Sequence, residues 1–485
     1  MKSMVPRTQN SASTAEGSTE LAQGSLNVAH IVFMVMATVA PAGGAVAILP
    51  LAIGLGVGVG TPGMYVFVLV IMLLFAVGFT RMVPYVQNAG AFFAYIVRGL
   101  GRPVGLAGAY IATSAYIALA CATSGAMGFF ASGSVNKILG IDLPWWSYTL
   151  VGLVIVFLLG YRKITLAAGV LGVALVVELV VILVLDIAII ARNGIGSFPM
   201  ESFSPSQVFV PGAIGVAMIF AFSCYQGFEG TAIYAEEARD PQRTVPRATY
   251  ISMGCIGVFF VLTSWAFLAS SSGATAAAAA SPGAFVYDLS DEFVGPAWTT
   301  TLEALIVTSC FAGVLAFHNA ASRYLFALGR DGFLPRSMQS LHPRHQSPVV
   351  AGSTSYVIET LVVIVFAVAG LDPLTTLTSA LTGFGAVGLM VLITTTSLAV
   401  LVFFARQRRF GWGHTVAPAL ALIGFGTITY FALSNFPAIT GTDSPIINGL
   451  PLLHLLTIVV AIGVALYARK NRKDTYANMG RTLVD

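Results

Sequence analysis

The sequence predicts an all-α membrane protein with about twelve transmembrane helices. Of its 485 residues, 57% are hydrophobic and 9% are charged, whereas an ordinary soluble domain has roughly 45–50% and about 25%. The chain also contains many apolar runs of at least about 18 residues, the length at which a helix crosses a hydrocarbon core about 30 Å thick. Its basic residues fall almost entirely between alternate runs, as the positive-inside rule requires.

Twelve apolar runs are candidate spans, and each is separated from the next by turn-forming or charged residues. The polar stretch before the first run and the length of that run argue against a cleaved signal peptide. We therefore expect the first run to be a retained span. The candidates are residues 31–60, 64–80, 104–131, 144–161, 164–191, 208–235, 248–270, 297–322, 349–371, 374–405, 414–436 and 450–467.

The basic residues predict an orientation. With the N-terminus in the cytoplasm, 22 of the 24 Lys and Arg residues lie on the cytoplasmic side, and the exceptions are Lys137 and Arg192. One missed span would scramble this bias, so it supports an even number of spans with both termini in the cytoplasm, in the plasma (inner) membrane. The net charge of +4 thus reflects topology, and we expect a lipid bilayer and no nucleic acid as partner.

Two spans carry interruptions that a plain lipid-facing helix does not need. Span 1 contains the sequence VAPAGGA (residues 39–45), and span 6 contains SCYQGFEG (residues 223–230). Pro41 removes a backbone donor, and each glycine lowers helix propensity by about 1 kcal/mol. Because an unpaired backbone group is costly in lipid, a broken helix persists only where it is buried in protein or lines a cavity. Both helices should break near the middle of the membrane.

The two breaks lie five spans apart, so span 1 and span 6 run in opposite directions. This spacing predicts two inverted five-helix repeats with a binding site where the broken helices meet. The predicted organisation is a cytosolic tail (1–26), a first repeat (27–192), a second repeat (208–405), two peripheral helices (411–469) and a second cytosolic tail (470–485). The Ala-rich segment from Gly273 to Gly283 is of low complexity, and we expect it to be poorly ordered.

Three motifs resemble the amino acid, polyamine and organocation (APC) transporter superfamily. The first is Gly227-Phe228-Glu229 followed by Glu236-Glu237, Asp240-Pro241 and the Arg-x-x-Pro-Arg of residues 243–247. The second is Ser322-Arg323 with the Arg-Asp-Gly-x-x-Pro of residues 330–335. The third is NAGAFFAY at residues 88–95. The resemblance implies a LeuT-type fold of ten core helices plus two peripheral ones, working by alternating access.

The resemblance also implies a substrate site on the two breaks. In the superfamily, a substrate carboxylate sits on backbone N–H groups of helix 1 and an amine on carbonyls of helix 6, as the dipoles of half-helices favour. The donors map to Gly43, Gly44 and Ala45 and a carbonyl maps to Pro41. Many members have Gly-Ser-Gly or Gly-Ala-Gly here, so no specific amino acid is implied. The remaining predicted site residues are Ser223, Cys224, Tyr225, Gln226, Gly227 and Glu229 of span 6 and Tyr116 of span 3.

Five carboxylates fall within apolar spans, with no Lys or Arg clearly inside a span to pair with them. They are Glu178, Asp186, Glu229, Glu303 and Glu359. A charge at the bilayer centre costs at least about 2.5–3.5 kcal/mol, so each should be protonated, near an edge or beside a polar cavity. Asp186 and Glu303 lie toward span ends and are expected to snorkel to the interface. For Glu359 we expect a structural hydrogen bond.

Glu178 is the predicted coupling residue. It lies in the middle of span 5, one helical turn from Leu175, the position where some proton-coupled relatives place a titratable Lys. We therefore predict that a proton is the coupling ion. Ser309 and Thr308 of span 8 resemble hydroxyls that line a sodium site in sodium-driven members, so sodium is the alternative. Such hydroxyls also bond simply to the preceding helical turn. We expect no cofactor and no metal site.

The leading functional interpretation is a secondary active transporter for an amino acid or related amine, working by symport or exchange. A small-cation (potassium) carrier of the same superfamily stays open, because the acids could serve a cation. A channel would need a continuous polar stripe or selectivity ring, and span 3 offers only scattered Ser and Thr. The chain has no HExxH, no GxSxG elbow and no paired carboxylates at catalytic spacing, so we do not expect an enzyme.

Overall fold

The computed structural model describes residues 26–86, 92–161, 164–233, 238–345, 347–440 and 442–479. Within these ranges the chain is helical, and its β pairing consists of two isolated bridges, Leu26 with Ala238 and Leu341 with Pro348. The all-α prediction is therefore confirmed. The predicted motif residues 88–91 and 236–237, residues 1–25 of the first predicted tail and residues 480–485 of the second lie outside the described residues.

Twelve helical segments occupy the positions of the twelve apolar runs, and we number them in chain order. Nine of them are long and apolar enough to cross a membrane, counted over the described residues. Segment α5 is a 30-residue helix, while α4 and the first part of α6 are shorter apolar helices. The segments are α1 (Val28–Gly54), α2 (Gly58–Tyr85), α3 (Arg102–Leu139), α4 (Trp145–Tyr161), α5 (Ile164–Asn193), α6 (Ile214–Ser223 and Gly230–Ile233), α7 (Pro241–Leu268), α8 (Pro296–Arg330), α9 (Val349–Val368), α10 (Pro373–Arg406), α11 (Trp412–Ser434) and α12 (Leu452–Asn471).

Helices α3 and α8 form the centre of the bundle. They are the two longest single helices, with 38 and 35 residues, and they pack against each other. The α3 sequence is rich in Ala and Gly, which lets neighbouring backbones approach closely in the absence of a hydrophobic driving force between helices in lipid. A Cβ at Gly128 would lie 2.0 Å from Thr149 Oγ1 of α4. Small residues thus place α3 within reach of the functional site described below.

The perimeter of the bundle is apolar. Val151 of α4, Val365 of α9, Ile423 of α11 and Val459 of α12 are each more than 60% exposed, at 61%, 62%, 65% and 67%. Large contiguous apolar surfaces are rare on soluble monomers, whereas hydrocarbon chains cover them at no cost. The exposed faces therefore support the membrane location that the sequence predicts.

The Ala-rich segment is ordered, so the prediction of poor order is wrong. Residues Ala274–Ala280 form a helix in which Ala274 and Ala278 are buried. Alanine has the highest helix propensity of all residues, and its methyl side chain allows close packing. A Cβ at Gly54, where α1 ends, would come within 2.6 Å of the Ala279 backbone. The helix therefore lies directly on the end of α1.

Both ends of the described chain are hydrogen-bonded to segments that carry basic residues. The Arg239 N–H donates to the Leu26 carbonyl at 3.0 Å, next to the Leu26–Ala238 bridge. Near the other terminus, the short helix Lys473–Asn478 receives a hydrogen bond from Arg102 Nη2 to the Ala477 carbonyl at 2.9 Å. The Arg102 guanidinium also lies over the Tyr476 ring, 5.3 Å from its centroid.

Candidate functional site

Helix α1 breaks at Ala40. This residue has φ 48° and ψ 69°, a left-handed conformation that costs an L-residue roughly 1–2 kcal/mol. Pro41 explains the break, because a proline disfavours the helical conformation of the residue before it and lacks the N–H that would continue the helix. The helix resumes at Pro41, and Gly44–Ile48 form a π-helical turn. The predicted interruption of span 1 is confirmed.

Helix α6 breaks between Ser223 and Gly230, as predicted. Gly227 has φ 108°, which L-residues rarely adopt. A Cβ at Gly227 would lie 2.8 Å from Thr38 Cγ2. Thr38 precedes the α1 break by two residues, so the two breaks are in direct contact.

Glu229 closes the α6 break and ties it to α3. Its Oε2 accepts a hydrogen bond from the Gly227 N–H at 3.0 Å, and its Oε1 accepts one from the Tyr116 hydroxyl at 2.7 Å. The Tyr116 ring stacks with Phe317 and Tyr324 of α8, with centroid distances of 6.4 and 5.6 Å. This buried cluster joins α3, α6 and α8 beside the breaks.

A cavity of about 70 Å³ lies between the two breaks. Five predicted site residues contribute to its wall: Gly43, Gly44, Ser223, Cys224 and Gln226. The wall is neutral, since no charged side chain among the described residues lines it. The structure thus brings the two predicted segments together around one small cavity.

Gln226 is the wall residue of this cavity that has an unpaired hydrogen-bond donor. Its side chain is 3% exposed, and its Nε2 has no hydrogen-bond partner among the described residues. Other polar groups of the wall are already bonded, because the Ser223 hydroxyl donates to the Ile219 carbonyl and the Thr123 hydroxyl to the Leu119 carbonyl, both at 2.8 Å. Leaving a buried donor unsatisfied costs about 1–3 kcal/mol. An acceptor bound in the cavity would remove that cost.

The backbone donors predicted in α1 are engaged within the protein in this conformation. The Gly43 N–H donates to Ser309 Oγ at 3.1 Å, and the Gly44 N–H donates to the Ala40 carbonyl at 3.0 Å. Pro41 and Ala45 are buried and lie outside the cavity wall. Any use of these donors by a ligand therefore requires the α1 break to rearrange.

Glu178 of α5 places its carboxylate against the N-terminal end of the second half of α1. Its Oε2 accepts a hydrogen bond from the Ser309 hydroxyl at 2.8 Å, and its carboxylate also accepts one from the Ala42 backbone. The start of a half-helix attracts anions because its N–H groups are free and its dipole is positive. The two predicted coupling residues, Glu178 of α5 and Ser309 of α8, are thus joined to each other and to the α1 break.

Tyr225 lies away from the cavity. Its hydroxyl donates to the Tyr65 carbonyl of α2 at 3.1 Å, while the Tyr65 hydroxyl lies 3.2 Å from Cys224 Sγ. Tyr225, Tyr116, Gly227 and Glu229 therefore hold the break in place without forming part of the cavity wall.

The other membrane carboxylates are buried and have partners. Asp186 accepts from the Thr263 hydroxyl at 2.7 Å, and Glu303 pairs with Lys137 at 2.7 Å. The predicted snorkelling or interfacial exposure of Asp186 and Glu303 is wrong, because both side chains are buried: Asp186 is bonded to Thr263, and Glu303 is paired with Lys137, whose side chain is 55% exposed. Glu359 accepts from the Ser355 hydroxyl and lies 2.9 Å from His318 Nδ1, so its predicted structural hydrogen bond is confirmed.

The two hydroxyls that could bind sodium, those of Thr308 and Ser309, have different hydrogen-bond partners. Thr308 donates to the Leu305 carbonyl at 2.8 Å, the ordinary bond to the preceding turn, whereas Ser309 donates to Glu178. The described residues contain no group of three or more His, Cys, Asp or Glu side chains that could hold a metal ion.

Part of the cavity wall was not predicted. Apart from five residues of α1, it comes from α3, α8 and α10, and the apolar residues of these three helices are spread over all faces, so their sequences do not reveal which face lines a cavity. One available signal was Thr378 and Thr382, which lie four residues apart and hence on one face of α10. The unpredicted wall residues from these helices are Leu119, Thr123, Ala126, Cys310, Gly313, Phe317, Thr378 and Thr382.

Comparison with known proteins adds partial matches to transporters. Residues 26–472 match the family model described as amino acid permease. An uncharacterized transporter of Mycobacterium tuberculosis is 29% identical over 35% of this chain and 38% of its own length. The branched-chain amino acid permease BcaP of Lactococcus lactis is 30% identical over 27% of each chain. The low-affinity putrescine importer PlaP of Escherichia coli is 23% identical over 58% of this chain and 61% of its own.

These matches cover between about a quarter and three fifths of the relatives' lengths. The family match, in contrast, runs through all twelve helical segments. The relatives and the family are transporters and not enzymes. On that match, the chain belongs to the amino acid permease family and is an integral membrane protein.

Proposed function

We propose that the protein is a secondary active transporter that moves an amino acid or related amine through the cavity between the α1 and α6 breaks. The observation that carries this proposal is the cavity between the two breaks, whose wall includes Gln226 with its unpaired amide Nε2. Breaks of this kind in lipid favour a binding site over a plain structural helix. The permease and importer names of the relatives support the same substrate classes.

The cavity wall favours a neutral amino acid over a diamine. The described wall residues carry no acidic side chain, so nothing there would neutralise the two charges of a diamine. A zwitterion fits better, because its carboxylate can accept from Gln226 and from half-helix N–H groups and its ammonium can donate to carbonyls of the α6 break. Val39, Ile48 and Leu119 suit a small apolar side chain.

We also propose the orientation and the repeat organisation. The distribution of Lys and Arg supports cytoplasmic termini in the plasma membrane, with repeats at 27–192 and 208–405 and peripheral helices at 411–469. The paired breaks in α1 and α6, five segments apart, support an inverted repeat that works by alternating access.

We propose proton coupling through Glu178, by symport or exchange. Glu178 touches the α1 break and Ser309 of α8, so a change in its charge would act directly on the segment that lines the cavity. Sodium bound near Ser309 is the alternative that the experiments must separate from a proton.

Transport in proteoliposomes tests the proposal. A ligand is first found by thermal shift with amino acids and polyamines, since a ligand at 100 times its Kd adds about 2.7 kcal/mol to stability. Uptake of that ligand should saturate and show counterflow, whereas linear, non-exchanging flux would indicate a channel.

Gln226→Met tests the site itself. It removes the amide but keeps the volume, so KM should rise about tenfold or more, because a hydrogen bond to a charged group contributes roughly 1.5–3 kcal/mol. Gln407→Met, at an exposed position after α10, is the matched control and should leave KM unchanged. An unchanged KM in Gln226→Met would remove Gln226 from the site.

A further inference from the structure

A second and larger cavity, of about 520 Å³, lies at the end of the bundle where α3 ends and α8 begins. We call it the outer cavity; its wall includes Phe129, Phe130, Ser132, Gly133, Ser134, the five residues from Ala280 to Ala284, Tyr287, Glu303, Asp372, Leu374 and Thr375. None of these residues lines the cavity between the breaks.

The outer cavity lies along the same helices as the cavity between the breaks. On α8, Glu303 lines the outer cavity and Cys310 lines the inner one. On α10, Leu374 and Thr378 have the same relation. The spacing is seven residues on α8 and four on α10, a helical rise of about 6–10 Å, so the two spaces are adjacent along these helices. A solute leaving the outer cavity along α8 would arrive between the breaks.

Two residues of the outer-cavity wall, Glu303 and Tyr287, each carry a buried polar atom without a partner among the described residues. Glu303 is buried, and its Oε1 is paired with Lys137 Nζ at 2.7 Å. Its Oε2 and the Tyr287 hydroxyl are both buried without a hydrogen-bond partner among the described residues. The two groups are close enough to interact electrostatically. A single donor-rich ligand could satisfy both.

The rest of the wall favours a cation. Asp372 supplies a second carboxylate, whose Oδ1 already accepts from the Leu374 and Thr375 N–H groups at 2.9 and 2.7 Å. No Lys or Arg is among the described wall residues, and the nearby Lys137 is bonded to the other oxygen of Glu303 and leaves Oε2 unpaired. Phe129, Phe130 and Tyr287 add aromatic rings, whose faces attract an ammonium group. Carboxylates with aromatic faces match an organic cation better than an anion or an apolar solute.

We propose that the outer cavity is a separate binding site for a primary ammonium group, held by Glu303 Oε2 and the Tyr287 hydroxyl against the aromatic rings. An ammonium has three N–H donors and no acceptor, so it can bond to both unpaired oxygens at once. This inference rests on the proposed function, because the ammonium is that of the substrate before it reaches the cavity between the breaks.

A labelling experiment tests the site without relying on transport. Gly133→Cys places a thiol in the outer-cavity wall, where a Cβ meets open space. It is made together with Cys255→Ser, because Cys255 is exposed and the other three native cysteines are buried. Ethylammonium chloride should slow labelling by a membrane-impermeant maleimide, whereas sodium chloride and sodium propionate should not. Gly196→Cys, outside the cavity and also open, is the control reporter and should be unaffected.

Substitutions of Glu303 and Tyr287 distinguish binding of ethylammonium at this site from non-specific protection of the thiol. In Glu303→Gln, the ethylammonium concentration for half-protection should rise tenfold or more, and in Tyr287→Phe, which keeps the ring, it should rise less. Unchanged protection in both variants, or equal protection by sodium chloride or propionate, would overturn the outer site. Intact protection in a protein without saturable uptake would instead contradict the proposed transport function.

Discussion

At the scale of single residues, the buried carboxylates differ in their hydrogen-bond partners. Asp186, Glu303 and Glu359 each bond to a neighbouring helix at a position away from the breaks. Glu178 differs because its partners are Ser309 and the backbone of Ala42, at the start of the second half of α1. An anion at that place stabilises the half-helix through its free N–H groups and dipole. Loss of the negative charge would weaken this contact.

Replacing Glu178 tests its role in coupling. Glu178→Gln should bind and exchange substrate but lose accumulation driven by a pH gradient, because glutamine still accepts hydrogen bonds but cannot take up or release a proton. The measurement is uptake into proteoliposomes with an imposed pH gradient, with and without sodium. Asp186→Asn, the same change at a buried acid of the same helix, should keep pH-driven accumulation.

Two results would count against Glu178 as the proton carrier. One is wild-type uptake that ignores the pH gradient or strictly requires sodium, which would shift attention to Ser309. The other is full pH-driven accumulation in Glu178→Gln, which would leave Glu178 as a structural hydrogen-bonding residue only.

At the scale of the helices, neighbouring glycines of α1 have different surroundings. A Cβ at Gly44 would lie 2.6 Å from Phe260 Cζ, and Phe260 is fully buried and stacked on Tyr65 with centroids 5.5 Å apart. A Cβ at Gly43 would meet Ser309 Oγ at 3.5 Å, an ordinary contact. Gly44 is therefore required by packing against α7, in addition to its place in the cavity wall.

This difference predicts that alanine substitutions at the two glycines have different effects on the stability of the protein. Gly44→Ala should destabilise the protein by about 1–3 kcal/mol, the usual cost of overpacking, because the Phe260 ring has no free space to move into. Gly43→Ala should keep near-wild-type stability. Thermal unfolding of the two purified variants in the same detergent measures this, and equal stability would show that the α1 break adapts to the added methyl group.

At the scale of the whole molecule, each end of the described chain is hydrogen-bonded to a segment that the basic residues predict to be cytoplasmic. Leu26 is bonded to Arg239, and Ala477 is bonded to Arg102. An even number of crossings is the simplest way for both ends of the chain to reach the same side. The positive-inside rule predicts that this side is the cytoplasmic one.

Cysteine labelling in cells checks that orientation. In a Cys255→Ser background, Ala277→Cys should react with an impermeant reagent added outside, and Ser340→Cys should react only after access from the cytoplasmic side. Both positions are exposed, and they lie before and after α8. The reverse pattern would overturn the orientation, and equal labelling from outside would overturn the passage of α8 through the membrane.

The sequence by itself determined the class of the protein, the positions of the twelve segments and the two breaks. These properties are local, because an apolar run of sufficient length must lie in lipid, and Pro41 and Gly227 limit the backbone wherever they occur. The resemblance of the motifs to the APC superfamily led to the family that the match over residues 26–472 shows.

Only the tertiary structure decided which side chains meet. The Gly43–Ser309 bond joins residues 266 positions apart, and the Lys137–Glu303 pair joins residues 166 apart. Such pairs leave no local trace, because a helix surrounded by lipid and protein is apolar on every face and its sequence does not indicate which face turns inward. The unpaired Gln226 amide and the outer cavity became visible for the same reason: both are defined by neighbours from other helices.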